Sequence, residues 1–277
     1  MNNSHNLPAS LINSMNNQTV NITTMNKTLL STSLLSSLIA LPNISIAEET
    51  TAASAPVAAE AVWDGNAELG FIQTSGNSDT QSLNGRFNLS RELDKLKTAL
   101  KLEALTSEDS GERSSEKYLA QVKVNYAIGE YDYLTSLATY QDDRFSGYEY
   151  QSVLAVGYGY HAWNDKNGKL DLEAGPGYRR DVLKDRNSDG DKIEEEAIAR
   201  LGLDLLVNIS DTAKFTEVFT IEAGDSNVIY KSDMGIQSTL AGELAMKVSY
   251  QVVHATNVPA NTKNTDSLVG VTLVYDF

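Results

Sequence analysis

One acidic stretch has the spacing of a loop in which oxygen ligands surround a calcium ion. It carries oxygen-bearing side chains at alternate positions, then a glycine and a final glutamate: Asp185, Asn187, Asp189, Gly190, Asp191 and Glu196. This spacing satisfies the EF-hand loop pattern, in which the glycine permits the sharp turn. The flanks, however, are strand-like where an EF-hand has helices, and Lys192 occupies a position that is usually apolar. Calcium binding and a solvated acidic loop without an ion are therefore the two interpretations.

A second set of charges alternates with apolar residues. If the apolar residues face lipid, the charged ones line the interior of a barrel. The principal members are Arg86, Lys97, Lys101, Glu103, Lys123, Asp171, Glu173, Arg200 and Asp204, and the others are Glu68, Lys169, Arg179, Glu196, Lys214, Glu222, Lys231, Asp233 and Lys247. Because the signs nearly balance, the charges can pair across the lumen and close it, or face each other along a narrow aqueous path. The sequence leaves both outcomes open.

Few residues are available for catalysis. After the processing site predicted below, only His161 and His254 remain, at opposite ends of the predicted barrel, and the chain has no cysteine. No serine or aspartate can be placed beside either histidine from the sequence, so no triad is predicted. The acidic balance argues against a nucleic-acid partner. We predict that the protein is not an enzyme and carries no resident cofactor.

The elements that must hold the lumen charges are strands with an apolar residue at every second position. Roughly 9 to 11 residues suffice for such a strand to cross an outer membrane. Twelve segments qualify: Trp63 to Thr74, Thr80 to Glu92, Leu96 to Thr106, Lys117 to Ile128, Tyr131 to Gln141, Glu149 to Trp163, Lys169 to Arg180, Glu195 to Val207, Ala213 to Ala223, Val228 to Leu240, Leu244 to Ala255, and Asp266 to Phe277. The even count is that of bacterial barrels. We predict an all-β fold, a transmembrane antiparallel up-and-down β-barrel of about twelve strands.

The connections and the C-terminus agree with this fold. Tight turns alternate with longer, charged links, which are predicted to lie outside the cell: Ser107 to Glu116, Asp142 to Tyr148, Asp181 to Glu194, and Thr256 to Thr265. The last segment ends on Phe277, and an aromatic C-terminal residue is a feature that the barrel assembly machinery of diderm bacteria recognises. Alternation alone does not say which face is outside, so a soluble β-barrel or sandwich that binds a ligand remains the alternative.

The N-terminal part is predicted to be processed. Residues 1–24 lack Lys and Arg and read as translation from a misplaced upstream start, with a genuine cytoplasmic extension as the alternative. Residues 25–47 have the basic and apolar regions of a signal peptide, with cleavage after Ala47. Residues 48–62 read as a flexible periplasmic lead-in, and 63–277 as the barrel. This organisation predicts the outer membrane of a diderm bacterium.

Two stretches resemble an uncharacterised family of salt-induced outer membrane proteins. They are the opening from Glu68 to Gly85, which contains Gly76-Asn77-Ser78-Asp79-Thr80, and the close from Asn257 to Phe277. The resemblance spans Trp63 to Phe277 and implies an outer-membrane barrel, with expression raised under salt stress. That family has no settled molecular activity or catalytic residues to transfer.

Two functions follow as hypotheses, a small ion or solute pore and a structural, envelope-stabilising barrel with a plugged lumen and cation-binding external loops. Outer-membrane lipid, lipopolysaccharide and the assembly machinery are the expected partners. A monomer is favoured.

Overall fold

The computed structural model describes residues 60–74, 80–187, 189–259 and 262–277, and twelve strands account for most of them. In chain order they are β1 (Val62–Thr74), β2 (Thr80–Leu93), β3 (Leu96–Asp109), β4 (Glu112–Ala127), β5 (Asp132–Asp143), β6 (Tyr148–Asp165), β7 (Gly168–Leu183), β8 (Ile193–Asn208), β9 (Ala213–Ala223), β10 (Val228–Ala241), β11 (Leu244–Ala255) and β12 (Thr265–Asp276). The described residues contain no helix that is long and apolar enough to cross a membrane.

The strands form one closed sheet. Each strand pairs antiparallel with the next along the chain, and β12 pairs antiparallel with β1. Period-two alternation together with short connections leads to this arrangement, because strands joined by tight turns pair with their neighbours. The predicted up-and-down barrel of about twelve strands is confirmed.

The two faces of the barrel differ in polarity in the direction that a membrane requires. Apolar side chains such as Leu154 and Val269, each 62% exposed, stand on the outer surface. Charged side chains alternate with them and point inward, where Glu68, Glu173 and Arg179 are buried. A soluble barrel has the opposite arrangement, with apolar residues inside. The barrel is therefore a transmembrane one, and the soluble alternative is wrong.

Several strands extend beyond their predicted ends at the side away from the chain termini. The predicted link Ser107 to Glu116 is instead a tight turn at Ser110 and Gly111, which have φ angles of 53° and 82°. Polar residues continue the antiparallel ladder there because backbone pairing does not depend on an apolar face. The segments assigned to residues 1–24 and 25–47, and most of the lead-in 48–62, lie outside the described residues.

Candidate functional site

The lumen charges gather into clusters, the first of which surrounds Arg86. Strand register places Arg86 opposite Glu68 on β1 and Glu103 on β3. Its guanidinium lies 2.7 Å from a Glu103 oxygen and 3.7 Å from a Glu68 oxygen. Three carboxylates share this one cation, because Asp233 also accepts a hydrogen bond of 3.0 Å from Arg86 Nη2. We call these four residues, with Lys101 and Lys247, the Arg86 cluster.

The contact between Arg86 and Asp233 crosses the lumen. Arg86 is on β2 and Asp233 on β10, and β1, β12 and β11 separate these strands along the shorter way around the barrel. Lys101 on β3 also reaches Asp233, at 3.7 Å, and approaches Glu103 to 2.8 Å. Gln251 donates a further hydrogen bond of 3.2 Å to Asp233. The cluster therefore connects opposite parts of the wall through the interior.

A second cluster is centred on Glu173 of β7. Its carboxylate receives Lys123 of β4 at 2.5 Å and Arg200 of β8 at 3.3 Å. The hydroxyl of Tyr133 on β5 donates to the same carboxylate at 3.0 Å. Glu173 side-chain exposure is only 6%, so its charge is held by these partners rather than by bulk water. We call these four residues the Glu173 cluster.

A third cluster lies near the end of the barrel away from the termini. Arg179 is 2% exposed, forms an ion pair with Glu196, and lies 3.4 Å from Asp181. Its Nη2 also donates to the backbone carbonyl of Asn227 at 3.1 Å. Farther along the sheet, Lys231 of β10 pairs with Glu222 of β9 at 3.0 Å. This end of the lumen thus also contains ion pairs between strands.

Three of the nine principal lumen residues predicted from the sequence lie apart from these clusters. Lys97 approaches Glu92 to 3.5 Å, and both side chains are about half exposed. The Asp171 carboxylate lies 2.6 Å from His161 Nδ1, within hydrogen-bond distance. The sequence did not indicate that these two residues are close. Asp204 lies opposite Asp171 and Val218 in the strand register and belongs to none of the three clusters.

The two histidines have different neighbours in the described residues. His161 has an acid partner, but among the described residues no hydroxyl lies in hydrogen-bond contact with its ring. His254 Nδ1 contacts the hydroxyl of Thr265 at 2.7 Å. Within the described residues, no carboxylate forms a hydrogen bond with the His254 ring. Neither arrangement brings a nucleophile, a base and an orienting acid together.

The predicted calcium loop is organised by its own hydrogen bonds. Asn187 Oδ1 accepts the backbone N–H groups of Asp189 and Asp191, at 3.1 Å and 2.8 Å. Glu196, the last predicted ligand, instead pairs with Arg179 and accepts from Ser226. Asp185 is exposed, and no metal-binding group of three His, Cys, Asp or Glu occurs in the described ranges. Calcium binding here stays a prediction.

One polar pair on the outer surface was not predicted from the sequence. Glu217 lies in register with Leu205 and Met234, between the outward-facing Phe215 and Phe219. Ser232 donates a hydrogen bond of 2.7 Å to its carboxylate, which partly satisfies a charge placed in an apolar row. The signal that could have found it is the interruption of that row at its centre.

Comparison with known proteins places the chain among proteins of unknown activity. The model of the family described as "Protein of unknown function, DUF481" matches residues 67–277. An uncharacterised protein of Escherichia coli (strain K12), YdiY, is 27% identical over 221 residues, which cover 79% of this chain and 85% of that protein.

Solved structures with a similar arrangement of strands include two membrane barrels. One is the translocator domain of the autotransporter NalP from Neisseria meningitidis, with 15% identity, a TM-score of 0.42, and coverage of 81% of this chain and 90% of that one. The other is an outer membrane channel from Pseudomonas putida F1, with 10% identity, a TM-score of 0.45, and coverage of 83% and 100%. At these values neither structure transfers a function.

Proposed function

From the premise that this chain belongs to the DUF481 family of proteins of unknown function, we propose that it is a structural barrel of the outer membrane whose lumen is closed to free diffusion of solutes. The observation that carries the proposal is the ion pair between Arg86 and Asp233, which joins β2 to β10 through the interior. The Glu173 cluster supports it from another part of the wall, because Lys123 reaches from β4 to β7.

The closing contacts are stable for a physical reason. Charges that are partly withdrawn from water attract more strongly, and each one lost leaves its partner uncompensated. Arg86, whose side chain is 12% exposed, faces three carboxylates, so moving it would leave Glu68, Glu103 and Asp233 close together. The network therefore resists opening by thermal motion of one side chain.

Single-channel conductance in planar bilayers tests the closed lumen. We expect the protein extracted from membranes to give no discrete current steps. The double variant Arg86→Ala with Asp233→Ala should give steps, because it removes the contact across the lumen and shortens both side chains. A matched control is Lys97→Ala with Glu92→Ala, an exposed pair whose loss should leave the barrel silent. Discrete steps from the unaltered protein would contradict the proposal.

A narrow ion path is the second candidate function, favoured by one observation. The side chains of Lys101, Asp233 and Lys123 keep 20–29% exposure although they point inward, so solvent reaches them. If the unaltered protein conducts, neutralising Lys97, Lys101 and Lys123 together should change its ion selectivity. Unaltered selectivity in that triple variant would exclude these lysines as the selective element.

The cellular setting belongs to the same proposal. An apolar outer surface, an antiparallel closed sheet and a terminal aromatic residue support residence in the outer membrane, with lipid and lipopolysaccharide as neighbours. Signal-peptide cleavage after Ala47 and expression raised by salt stay predictions. N-terminal sequencing of the protein from purified outer membranes tests the location and the cleavage site together. We expect the mature protein to begin at Glu48. Recovery of the protein in the soluble fraction would contradict the outer-membrane location.

A further inference from the structure

The barrel wall is unevenly closed where its first and last strands meet. β1 pairs with β2 over its full length, and β12 pairs with β11 over nearly all of its own. Between β1 and β12, Cα partners run only from Asn66 opposite Asp276 to Leu69 opposite Leu273. Among the described strand residues, 70–74 of β1 and 265–272 of β12 have no partner across this seam.

The paired part of the seam is held from the lumen side. Glu68 of β1 receives Lys247 of β11 at 3.0 Å and Thr272 of β12 at 3.5 Å. Glu68, Lys247 and Thr272 are 8%, 9% and 5% exposed as whole residues. Below them, Gly65 and Phe277 exchange two backbone hydrogen bonds of 2.9 Å. The seam is thus firmly closed at the end that carries the chain termini.

Pairing stops at Gly70. The strands still touch there, because a Cβ added to Gly70 would lie 2.9 Å from the carbonyl oxygen of Val271 and would collide with Asn84 Oδ1. That Asn84 oxygen is buried and lacks a hydrogen-bond partner. Beyond this point the two strand edges are unpaired, and the amide of Asn84 lies against the seam on the lumen side, where its nitrogen would be 3.4 Å from a Cβ added to Gly270.

Unpaired strand edges are costly inside a membrane. Hydrocarbon offers no hydrogen bonds, so open backbone is tolerated there only where it lines a water-filled cavity or is covered by protein. The unpaired part of β1 and β12 adjoins the polar lumen on one side and lipid on the other. The unpaired seam is therefore the candidate for a lateral connection between the lumen and the bilayer.

The surfaces on the two sides of the seam indicate what fits it. Outward-facing Leu69, Phe71, Val269 and Val271 are exposed and apolar. Just inside lies the Arg86 cluster, in which three acids face three bases. A molecule with hydrocarbon chains and a head group that carries both signs matches both sides. We propose that the seam between β1 and β12 is a lateral opening through which the head group of a zwitterionic membrane phospholipid enters the lumen while its chains stay in the bilayer.

Introduced cysteine pairs test whether the seam is open. The chain has no cysteine of its own, so a disulfide can form only between the introduced residues. Leu69→Cys with Leu273→Cys joins paired positions, whereas Phe71→Cys with Val271→Cys lies two residues beyond the last pair, at the next outward-facing position. In membranes under mild oxidant we expect the first pair to cross-link at least about tenfold faster. Equal rates would show that the strands pair along their length and would overturn the proposal.

Photocrosslinking tests the occupant. Benzoylphenylalanine is introduced separately at the positions of Asn84, Phe71 and Thr139, and each protein is placed in vesicles of radiolabelled phosphatidylethanolamine. Position 71 faces lipid and should be labelled in any case, and position 139 lies on the lumen face of β5, far from the seam. We expect label at 84 and none at 139, with the label at 84 lost once the disulfide between positions 71 and 271 has formed.

Label at 71 without label at 84 would overturn the proposal, as would equal label at 84 and 139. Neither outcome concerns conductance. A lumen that conducts would contradict the proposed function alone, and an unlabelled position 84 would contradict this inference alone.

Discussion

Two lysines with the same sequence-level assignment have different surroundings. Lys97 and Lys123 were both predicted to line the lumen, on neighbouring strands. Lys123 lies 2.5 Å from Glu173, whose side chain is 6% exposed, whereas Lys97 and its partner Glu92 are 48% and 56% exposed. Because solvent screens exposed pairs, only the Lys123 contact should contribute much to stability.

Replacing the two lysines by methionine tests this difference. Lys123→Met should lower the free energy of unfolding by about 2 kcal/mol. This loss is smaller than is usual when a buried ion pair is broken, because Arg200 still faces Glu173. Lys97→Met, the matched control, should change it by less than about 1 kcal/mol. Urea titration of the refolded barrel, followed by tryptophan fluorescence, measures both. Equal losses would mean that burial of Glu173 does not distinguish the sites.

Between strands, register decides which side chains meet. Pairing of β5 with β6 sets Tyr133 directly opposite Gly159, and the Tyr133 ring lies over the space that a side chain at 159 would occupy. This position lets the Tyr133 hydroxyl reach Glu173 at 3.0 Å. The glycine is therefore required by close approach of the ring.

Gly159→Ala should displace the Tyr133 ring and destabilise the barrel by roughly 1–3 kcal/mol, the usual cost of overpacking. Gly85→Ala is the matched control, since the nearest atom to an added Cβ there is 3.8 Å away. Combining Gly159→Ala with Tyr133→Leu should cost less than the sum of the single changes, because the clash is then absent. If the losses in free energy of unfolding measured by urea titration are additive, the cost of Gly159→Ala does not come from a clash with the Tyr133 ring.

Closure of the whole barrel depends on its last residue. Phe277 exchanges backbone hydrogen bonds with Gly65, and its ring stacks near Phe87 and Tyr275 at centroid distances of 6.1 Å and 6.4 Å. The same residue is the predicted recognition feature for the assembly machinery. Through both roles, loss of the Phe277 ring should reduce the yield of fully assembled barrels.

Phe277→Ala should lower the folded fraction in the outer membrane several-fold, because ring stacking at the seam and the terminal aromatic are lost together. Heat-modifiable mobility on gels, which separates folded from unfolded barrels, measures that fraction. Phe145→Ala removes an aromatic ring of similar exposure from the connection between β5 and β6, at the other end of the barrel from Phe277, and should leave the yield unchanged. A normal yield for Phe277→Ala would exclude a role of the terminal ring in assembly.

The sequence by itself determined the strand architecture and the sidedness of most residues. Period-two alternation depends only on local backbone geometry, and short turns make consecutive strands neighbours, so residues such as Leu154 and Glu173 could be assigned to opposite faces. The same pattern placed Arg86 and Lys123 in the lumen. It was less informative for the outer ends of strands, where polar residues such as those near Ser110 continue the ladder without an apolar face.

Only the tertiary structure decided which charges meet. Arg86 has two partners on the neighbouring strands, Glu68 and Glu103, which the strand register places opposite it. Its third partner, Asp233, lies across the lumen. Contacts of the last kind depend on the tilt and stagger with which the sheet closes, and these are properties of all twelve strands together. The same is true of the seam, whose pairing ends at Leu69 although the alternation of β1 continues beyond it. Alternation records which face a residue takes, whereas closure sets the distance to residues that are far apart in the chain.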